Sequence, residues 1–382
     1  MEFGGFTHRS WAEIDLDCLV HNYKLSRSMA KSPVYCVIKA DAYGHGAPQA
    51  AAALKDAGCT NFAVATAEEA LQLRRHGIDD EILILGMCDP LVVPELADLN
   101  ITIAVGDLDT ARQYAKKLYG RKLDVHLKLD TGMNRIGLSC NLIDAIAVAK
   151  IPELNVTGVF SHLCTADDPG EDEFTVEQID RFRSAVAELE KAGVHKLVRH
   201  LGNSAGIVAH NKSRWDMARP GIILYGSNPT SCEAGFLPVM SVYSRIVQVK
   251  TVKKGETVGY GRGWTAPFDS VIATVPIGYA DGIHRRLSGV MSAVVNSVRV
   301  RQVGRICMDM LMLDVTGVPG VTAGDVVTVI GCDGEETITA DEIAGLCGTI
   351  SYEIFCALGR RIPRLYFKGG EIVDAICYID KL

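Results

Sequence analysis

From Trp11 to about Tyr225 the sequence alternates short apolar, often β-branched runs with longer helix-patterned stretches. Few architectures bury both kinds of element at once. The strand-like runs are Val34–Lys39, Phe62–Thr66, Glu81–Leu85, Ile101–Val105, Asp124–Leu129, Val156–His162, Val198–Leu201 and Ile222–Tyr225. Between them lie helix-like stretches such as Gln49–Ala57, Glu68–Arg75 and Glu173–Ala192. The last spaces Phe174, Val176, Ile179, Phe182, Val186 and Leu189 mostly as one helix face. Eight strands separated by helices within ~200–250 residues predict an α/β TIM (β/α)8 barrel. A doubly wound open sheet shares the local pattern and is the alternative. The first strand-to-helix loop carries only Gly44-His45-Gly46 and no G-x-G-x-x-G, which argues against a dinucleotide site.

After about Gly226 the rhythm changes. Val242–Val252, Val271–Pro276, Ser292–Val303, Leu311–Val315 and Asp325–Ile330 are strand-like and separated by Gly, Pro and Asp turns, with one short helix near Asp341–Leu346. The expected division is a barrel over residues 1–235 and a C-terminal mainly β domain over 236–382, with residues 1–10 able to pack on the β domain. At 48% hydrophobic and 22% charged residues the composition excludes disorder as the dominant state. A net charge of −7, with basic pairs isolated, argues against nucleic acid or an anionic membrane as partner. No run approaches the ~18–20 apolar residues of a membrane span, and residues 1–11 lack the apolar core of a signal peptide, so a cytoplasmic location is expected. The 12 cysteines form no C-x-x-C pair and have no His at zinc spacing, so no metal is expected and reduced, mostly buried thiols are.

Barrel chemistry sits at the C-terminal ends of the strands. Lys39 closes the apolar run Val34-Tyr35-Cys36-Val37-Ile38. A lysine desolvated in such a place has a lowered pKa and becomes an imine-forming amine, although strand-end lysines commonly reach to solvent. Tyr43 and Gly44-His45-Gly46 follow at once, while Asn203-Ser204-Ala205-Gly206 and Arg219-Pro220-Gly221-Ile222 supply amides and a hydroxyl where barrels often bind phosphate. A Schiff-base lysine facing such a cradle fits pyridoxal 5'-phosphate and fits a sugar-phosphate aldolase equally well.

Longer motifs separate these. Val37-Ile38-Lys39-Ala40-Asp41-Ala42-Tyr43-Gly44-His45-Gly46 resembles the cofactor-attachment signature of bacterial alanine racemases. The likeness starts with Arg9, Trp11 and Glu13-Ile14-Asp15, and runs through Lys128-Leu129-Asp130-Thr131-Gly132-Met133-Asn134-Arg135, Ser161-His162, Asn203-Ser204 and Arg219-Pro220-Gly221. It continues in Val258-Gly259-Tyr260-Gly261, Gly278-Tyr279-Ala280-Asp281-Gly282 and Gly304-Arg305-Ile306-Cys307-Met308-Asp309, in order along nearly the whole chain.

The resemblance implies a pyridoxal 5'-phosphate enzyme that interconverts L- and D-alanine for peptidoglycan. It also implies a head-to-tail homodimer whose sites are shared between subunits. Lys39 would serve the D-face of the substrate Cα and Tyr260 of the partner subunit the L-face, because racemisation needs a base on each side. A tyrosine, with a free pKa of ~10, needs a nearby cation or hydrogen bond for that role. Arg219 would face the pyridine nitrogen, keeping it largely unprotonated and limiting transamination. Tyr43, Asn203, Ser204, Gly221 and Ile222 would hold the phosphate, and His162 would lie beside the ring. Arg135 and the Met308 backbone would meet the substrate, and Lys128 corresponds to a lysine carbamylated in some members. Asp167, Tyr279, Arg285, Arg305 and Asp309 match the substrate access path. Tyr352 matches a tyrosine that lines the alanine pocket and reaches the phosphate; serine racemases tend to carry a smaller polar residue there and a preceding membrane domain, so Tyr352 favours alanine. A barrel decarboxylase is disfavoured because Arg219 stands where a carboxylate is expected, and an aldolase or a non-catalytic cofactor carrier would not need the β domain.

Overall fold

The computed structural model describes residues 8–379. They form two compact units: Leu19–Ala42 with Gly46–Leu237, and the described residues through Cys18 with Tyr43–His45 and Pro238 onward.

In the first unit seven strands lie side by side in chain order, all parallel: Cys36–Val37, Asn61–Val64, Glu81–Ile84, Thr102–Val105, Leu123–Asp130, Leu154–Phe160 and Val198–His200. Their cores are buried without alternation, as expected of strands covered on both faces. The eighth place belongs to Met217–Ala218. It bridges His200 on one side and Val34 on the other, in parallel register, and so closes the barrel. Tyr35 N–H and Val37 N–H donate to the Ala218 and Pro220 carbonyls at 2.8 and 2.9 Å.

The run Ile222–Tyr225, expected as that strand, is instead a fully buried 3-10 turn. Four buried apolar residues have no periodicity to tell strand from turn, and Pro220 ends the ladder because it lacks an N–H. The long helix Asp172–Lys191 forms as expected, but Val176 faces out while Thr175 and Gln178 are buried. Gln178 is satisfied there, since its Oε1 accepts from Cys164 N–H at 3.0 Å and its Nε2 donates to the Thr131 hydroxyl at 3.2 Å.

The second unit is mainly β. Ser10–Asp15 runs antiparallel to Met240–Arg245 and parallel to Arg364–Lys368. The expected packing of residues 1–7 on this sheet lies outside the described residues. The expected run Val242–Val252 is two strands, Met240–Arg245 and Gln248–Val252. Ser292–Val303 is a hairpin, turned by Asn296 and Ser297 at φ 50° and 61°, the left-handed geometry of a two-residue link. Besides Ala340–Cys347 there is a second helix, Ser351–Ala357, which carries Tyr352.

The thiols are less buried than expected: Cys36, Cys59 and Cys347 are buried, Cys232, Cys332 and Cys356 are exposed, and no disulfide forms among the described residues. No helix among the described residues is long and apolar enough to cross a membrane.

Candidate active site

Lys39 stands at the C-terminal end of the first barrel strand, half-buried. The chain leaves it through an unusual turn. Ala40, Asp41, Ala42 and Tyr43 all have φ of 51–53°, and Ala42 N–H donates to the Ile38 carbonyl at 2.9 Å. This is a left-handed helical turn built from L-residues, at roughly 1–2 kcal/mol each. Its bonds hold it in place. Glu69 accepts from Ala40 N–H and Ala65 N–H, both at 2.7 Å, and the Asp41 carboxylate accepts from Ala47 N–H at 2.7 Å. Such strain clusters where a side chain must be aimed.

Within the barrel the charges are one-sided. His162 has its pKa pushed well below the ordinary value by desolvation, then by the positive charges of Arg219, Lys128, Arg135 and Lys39. Four of the expected residues therefore crowd a fifth. Lys128 is 4% exposed, donates to the Leu129 carbonyl at 2.9 Å, and is pushed down to about 7 by burial and Arg219, Asp130 opposing. Arg219, 3% exposed, takes part in no ion pair among the described residues. Its Nη2 donates to the Ser161 and Leu201 carbonyls at 2.6 and 3.0 Å and its Nη1 to His200 Nδ1 at 2.8 Å. Three of five donors are thus used, and Nε–H with the second Nη1 hydrogen remains for a ligand. A buried donor left open calls for an acceptor.

The late loops supply a hydroxyl. Asn203 caps the helix Ser204–Ala209, accepting from Gly206 N–H at 2.9 Å, and donates to the Leu163 carbonyl at 3.0 Å, so its side chain is committed to the loop. Ser204 Oγ accepts from Gly221 N–H at 2.9 Å, which ties the loops after the seventh and eighth strands together and leaves the hydroxyl hydrogen to donate. Ile222 begins the buried turn beside it. Asp167 is exposed and makes no hydrogen bond or ion pair with the other site residues.

In the β unit Tyr260 opens a 3-10 turn, Tyr260–Arg262, and is 66% exposed. A Cβ on Gly261 (φ 68°) would stand 3.0 Å from the Arg305 guanidinium, so this turn packs closely on Arg305. The turn bearing Tyr279 is stacked on the one bearing Met308: Tyr279 N–H and Ala280 N–H donate to the Cys307 and Met308 carbonyls at 3.1 and 2.9 Å. Asp281, wholly buried, pairs with Arg9 at 2.6 Å and Arg361 at 3.4 Å, while Arg361 also binds Asp309 at 2.7 Å. Arg285 and Asp309 pull the Cys307 thiol in opposite directions, though burial raises it. Tyr43 and Tyr352 face each other with ring centroids 5.7 Å apart.

Sequence reasoning missed Glu69, His126, His200, Asp281 and Arg361. The barrel histidines had a signal: His126 and Lys128 are two apart on a strand buried on both faces, where polar residues are rare. No group of His, Cys, Asp and Glu side chains among the described residues could hold a metal.

A closed barrel with a strand-end lysine, a cation-lined interior and a hydroxyl bridging its late loops defines a phosphate-binding, lysine-dependent barrel enzyme. The family model for the alanine racemase N-terminal domain matches residues 14–229, and that for the C-terminal domain matches residues 239–366. Alanine racemase 1 of Clostridium acetobutylicum is 37% identical over 379 residues, 97% of this chain and 98% of that protein. The crystal structure of alanine racemase from Bacillus anthracis with bound L-Ala-P superposes with a TM-score of 0.92 at 32% identity, covering 99% of this chain and 100% of that one. Alanine racemase from Bartonella henselae, solved with covalently bound pyridoxal phosphate, gives a TM-score of 0.86 at 28% identity, over 94% of this chain and 100% of its own. The chain belongs to the alanine racemase family.

Proposed function

We propose that Lys39 and Tyr260 are the two bases of this racemase, each serving one face of the alanine Cα, with Tyr260 delivered by the partner subunit of a homodimer. The chain is a pyridoxal-phosphate-dependent alanine racemase, the activity its family carries. When bound, pyridoxal phosphate supplies an electron sink that acidifies the Cα–H of the amino acid it carries. Everything else falls to the chain's own groups. The Lys39 amine takes or returns the proton on the D-face, and the Tyr260 phenolic oxygen does so on the L-face, so that one group works as base while the other works as acid.

The cluster of Lys39, Lys128, Arg135 and Arg219 around His162 carries this reading. Such a pocket binds anions, and the cofactor phosphate and the substrate carboxylate are two of them. The donors fit the group: Arg219 offers Nε–H to an unprotonated pyridine nitrogen, and Ser204 O–H, with Tyr43, Gly221 and Ile222, serves the phosphate. Arg135 takes the substrate carboxylate, helped by the Met308 backbone, and Asn203 acts by presenting Ser204. Tyr352 discriminates against side chains larger than methyl. Asp167, Tyr279, Arg285, Arg305 and Asp309 line the access path. The unit of Leu19–Ala42 with Gly46–Leu237 acts as the cofactor-binding barrel, and the β unit as the domain that reaches the partner.

With its amine pushed to about 7, Lys128 is partly neutral near neutrality and can add carbon dioxide, so that a carbamate would give Arg135 an anionic partner. A 13C carbonyl signal from holoenzyme equilibrated with labelled bicarbonate, absent in Lys128→Met, tests this. The thiols, with no disulfide among the described residues, and a product destined for peptidoglycan precursors suit the cytoplasm.

The decisive experiment follows Cα-hydrogen exchange in deuterated water and inversion of optical rotation, with L-alanine and L-serine side by side. Inversion of alanine well ahead of serine is expected; no inversion of either would remove the reading. A fully active monomer would remove the shared site.

A further inference from the structure

We infer that His126 is a positioning residue for this reaction: it stabilises the His200 tautomer that Arg219 selects, and through His200 helps hold Arg219 as a one-way donor facing the cofactor ring. The inference rests on the role given above to Arg219. A guanidinium has only donors, so the 2.8 Å contact from Arg219 Nη1 makes His200 Nδ1 an acceptor. A neutral His200 then carries its hydrogen on Nε2, which lies 2.8 Å from His126 Nδ1. That atom must accept in turn, and His126 carries its own hydrogen on Nε2. Every link is directed by the one before it.

The surroundings keep both rings neutral and in place. Burial lowers the His126 pKa to about 3, with Arg219 adding to it. Burial, Arg219, His126 and Lys128 all push His200 well below its usual value. Among the described residues no acidic group counts against them. Phe160 stacks on His200 at 4.8 Å and 6°, and Tyr35 stands edge-on to His126 at 6.1 Å. Gly158, paired beside His126 on the neighbouring parallel strand, is the space the ring needs: a Cβ there would lie 2.5 Å from His126 Nε2.

The opposite tautomer of His200 would aim an N–H at the guanidinium and break the bond that orients Arg219. His126 adds to the Arg219 contact in favouring the Nε2–H form, because its Nδ1 then accepts that hydrogen at 2.8 Å. A loosened Arg219 would let the ring nitrogen take up a proton more readily. Some turnovers would then end with the alanine carbon skeleton leaving as pyruvate and its amino group staying on the cofactor as pyridoxamine phosphate.

The test is 15N NMR of holoenzyme labelled at histidine, with pyruvate released per racemisation event measured in parallel. In the unsubstituted enzyme His200 and His126 are each expected as the neutral Nε2–H form; an Nδ1–H or doubly protonated His200 would overturn the inference. His126→Leu removes the acceptor and should give mixed His200 tautomers, with pyruvate per racemisation raised about five- to tenfold, the scale of one lost hydrogen bond. His126→Asn, whose side-chain oxygen can accept, should restore both. Unchanged tautomer and pyruvate in His126→Leu would overturn the inference. If His126→Leu does not fold, the unsubstituted spectrum and His126→Asn decide it. Failure of the unsubstituted enzyme to racemise alanine would instead strike the reading of Arg219, and the NMR result would stand apart from it.

Discussion

The barrel interior and the Tyr260 face of the β unit solve opposite problems. In the barrel, Lys128 and Arg219 are almost wholly buried, and desolvation moves the histidines and Lys128 far from their ordinary protonation. In the β unit Tyr260, Tyr279 and Met308 are 66%, 42% and 52% exposed, on turns braced by Arg305 and by the buried Asp281 with its two arginines. One region tunes its groups by removing water; the other spends its order on backbone placement and leaves the side chains exposed. Desolvation alone turns a lysine amine towards a base, whereas a tyrosine needs a cation or a hydrogen bond beside its hydroxyl to become one.

The sharpest way to break this contrast is Lys39→Ala. Racemisation should fall by about 10⁴-fold, the scale for loss of a positioned base, as read by optical rotation with either enantiomer. Activity retained within tenfold would mean that the barrel does not hold the essential base. Tyr260→Phe should cost about 10³-fold in inversion but act on one face only. D-Alanine should keep exchanging its Cα hydrogen with deuterated water while L-alanine stops; equal loss of both exchanges would assign Tyr260 a structural part.

Lys128 tests the desolvation half of the comparison. Its pKa lies below its unfolded value of 10.5, at about 7 in the fold, so the unfolded chain binds the extra proton between those limits. In buffer free of carbon dioxide, where Lys128 stays an amine, stability should therefore rise with pH from about 7 to 10, by roughly 2–4 kcal/mol, and the rise should vanish in Lys128→Met. Denaturant unfolding across that range measures it, and a flat difference between the two proteins would contradict the burial argument. The smallest effect is expected from Tyr352→Asn, which should raise the serine-to-alanine rate ratio by about tenfold in parallel assays. An unchanged ratio would move the specificity elsewhere.

The alternation of apolar runs and helix-patterned stretches carried the barrel legibly, because parallel strands buried on both faces leave continuous hydrophobic runs. It misplaced the last strand, since Ile222–Tyr225 is as apolar as a strand and only the pairing of Val34 with Ala218 shows where closure occurs. Lys39, Ser204 and Arg219 were readable because strand-end positions carry chemistry in this architecture. His126 and His200 were not, since their meaning lies in contacts between strands 74 residues apart. Asp281 reads as a solvated turn residue until Arg9, 272 residues away, is found against it.

The sequence by itself determined which side chains could act, because residue type and strand-end position follow from local pattern. It also determined the family, because long motifs recur in order. Only the tertiary structure decided how those groups are charged and aimed. Desolvation, the push of four cations on His162 and the forced direction of the Arg219–His200–His126 row are properties of neighbours distant in sequence. The left-handed turn after Lys39 belongs with them. Local propensity opposes it, and it stands because Glu69 is there to hold it.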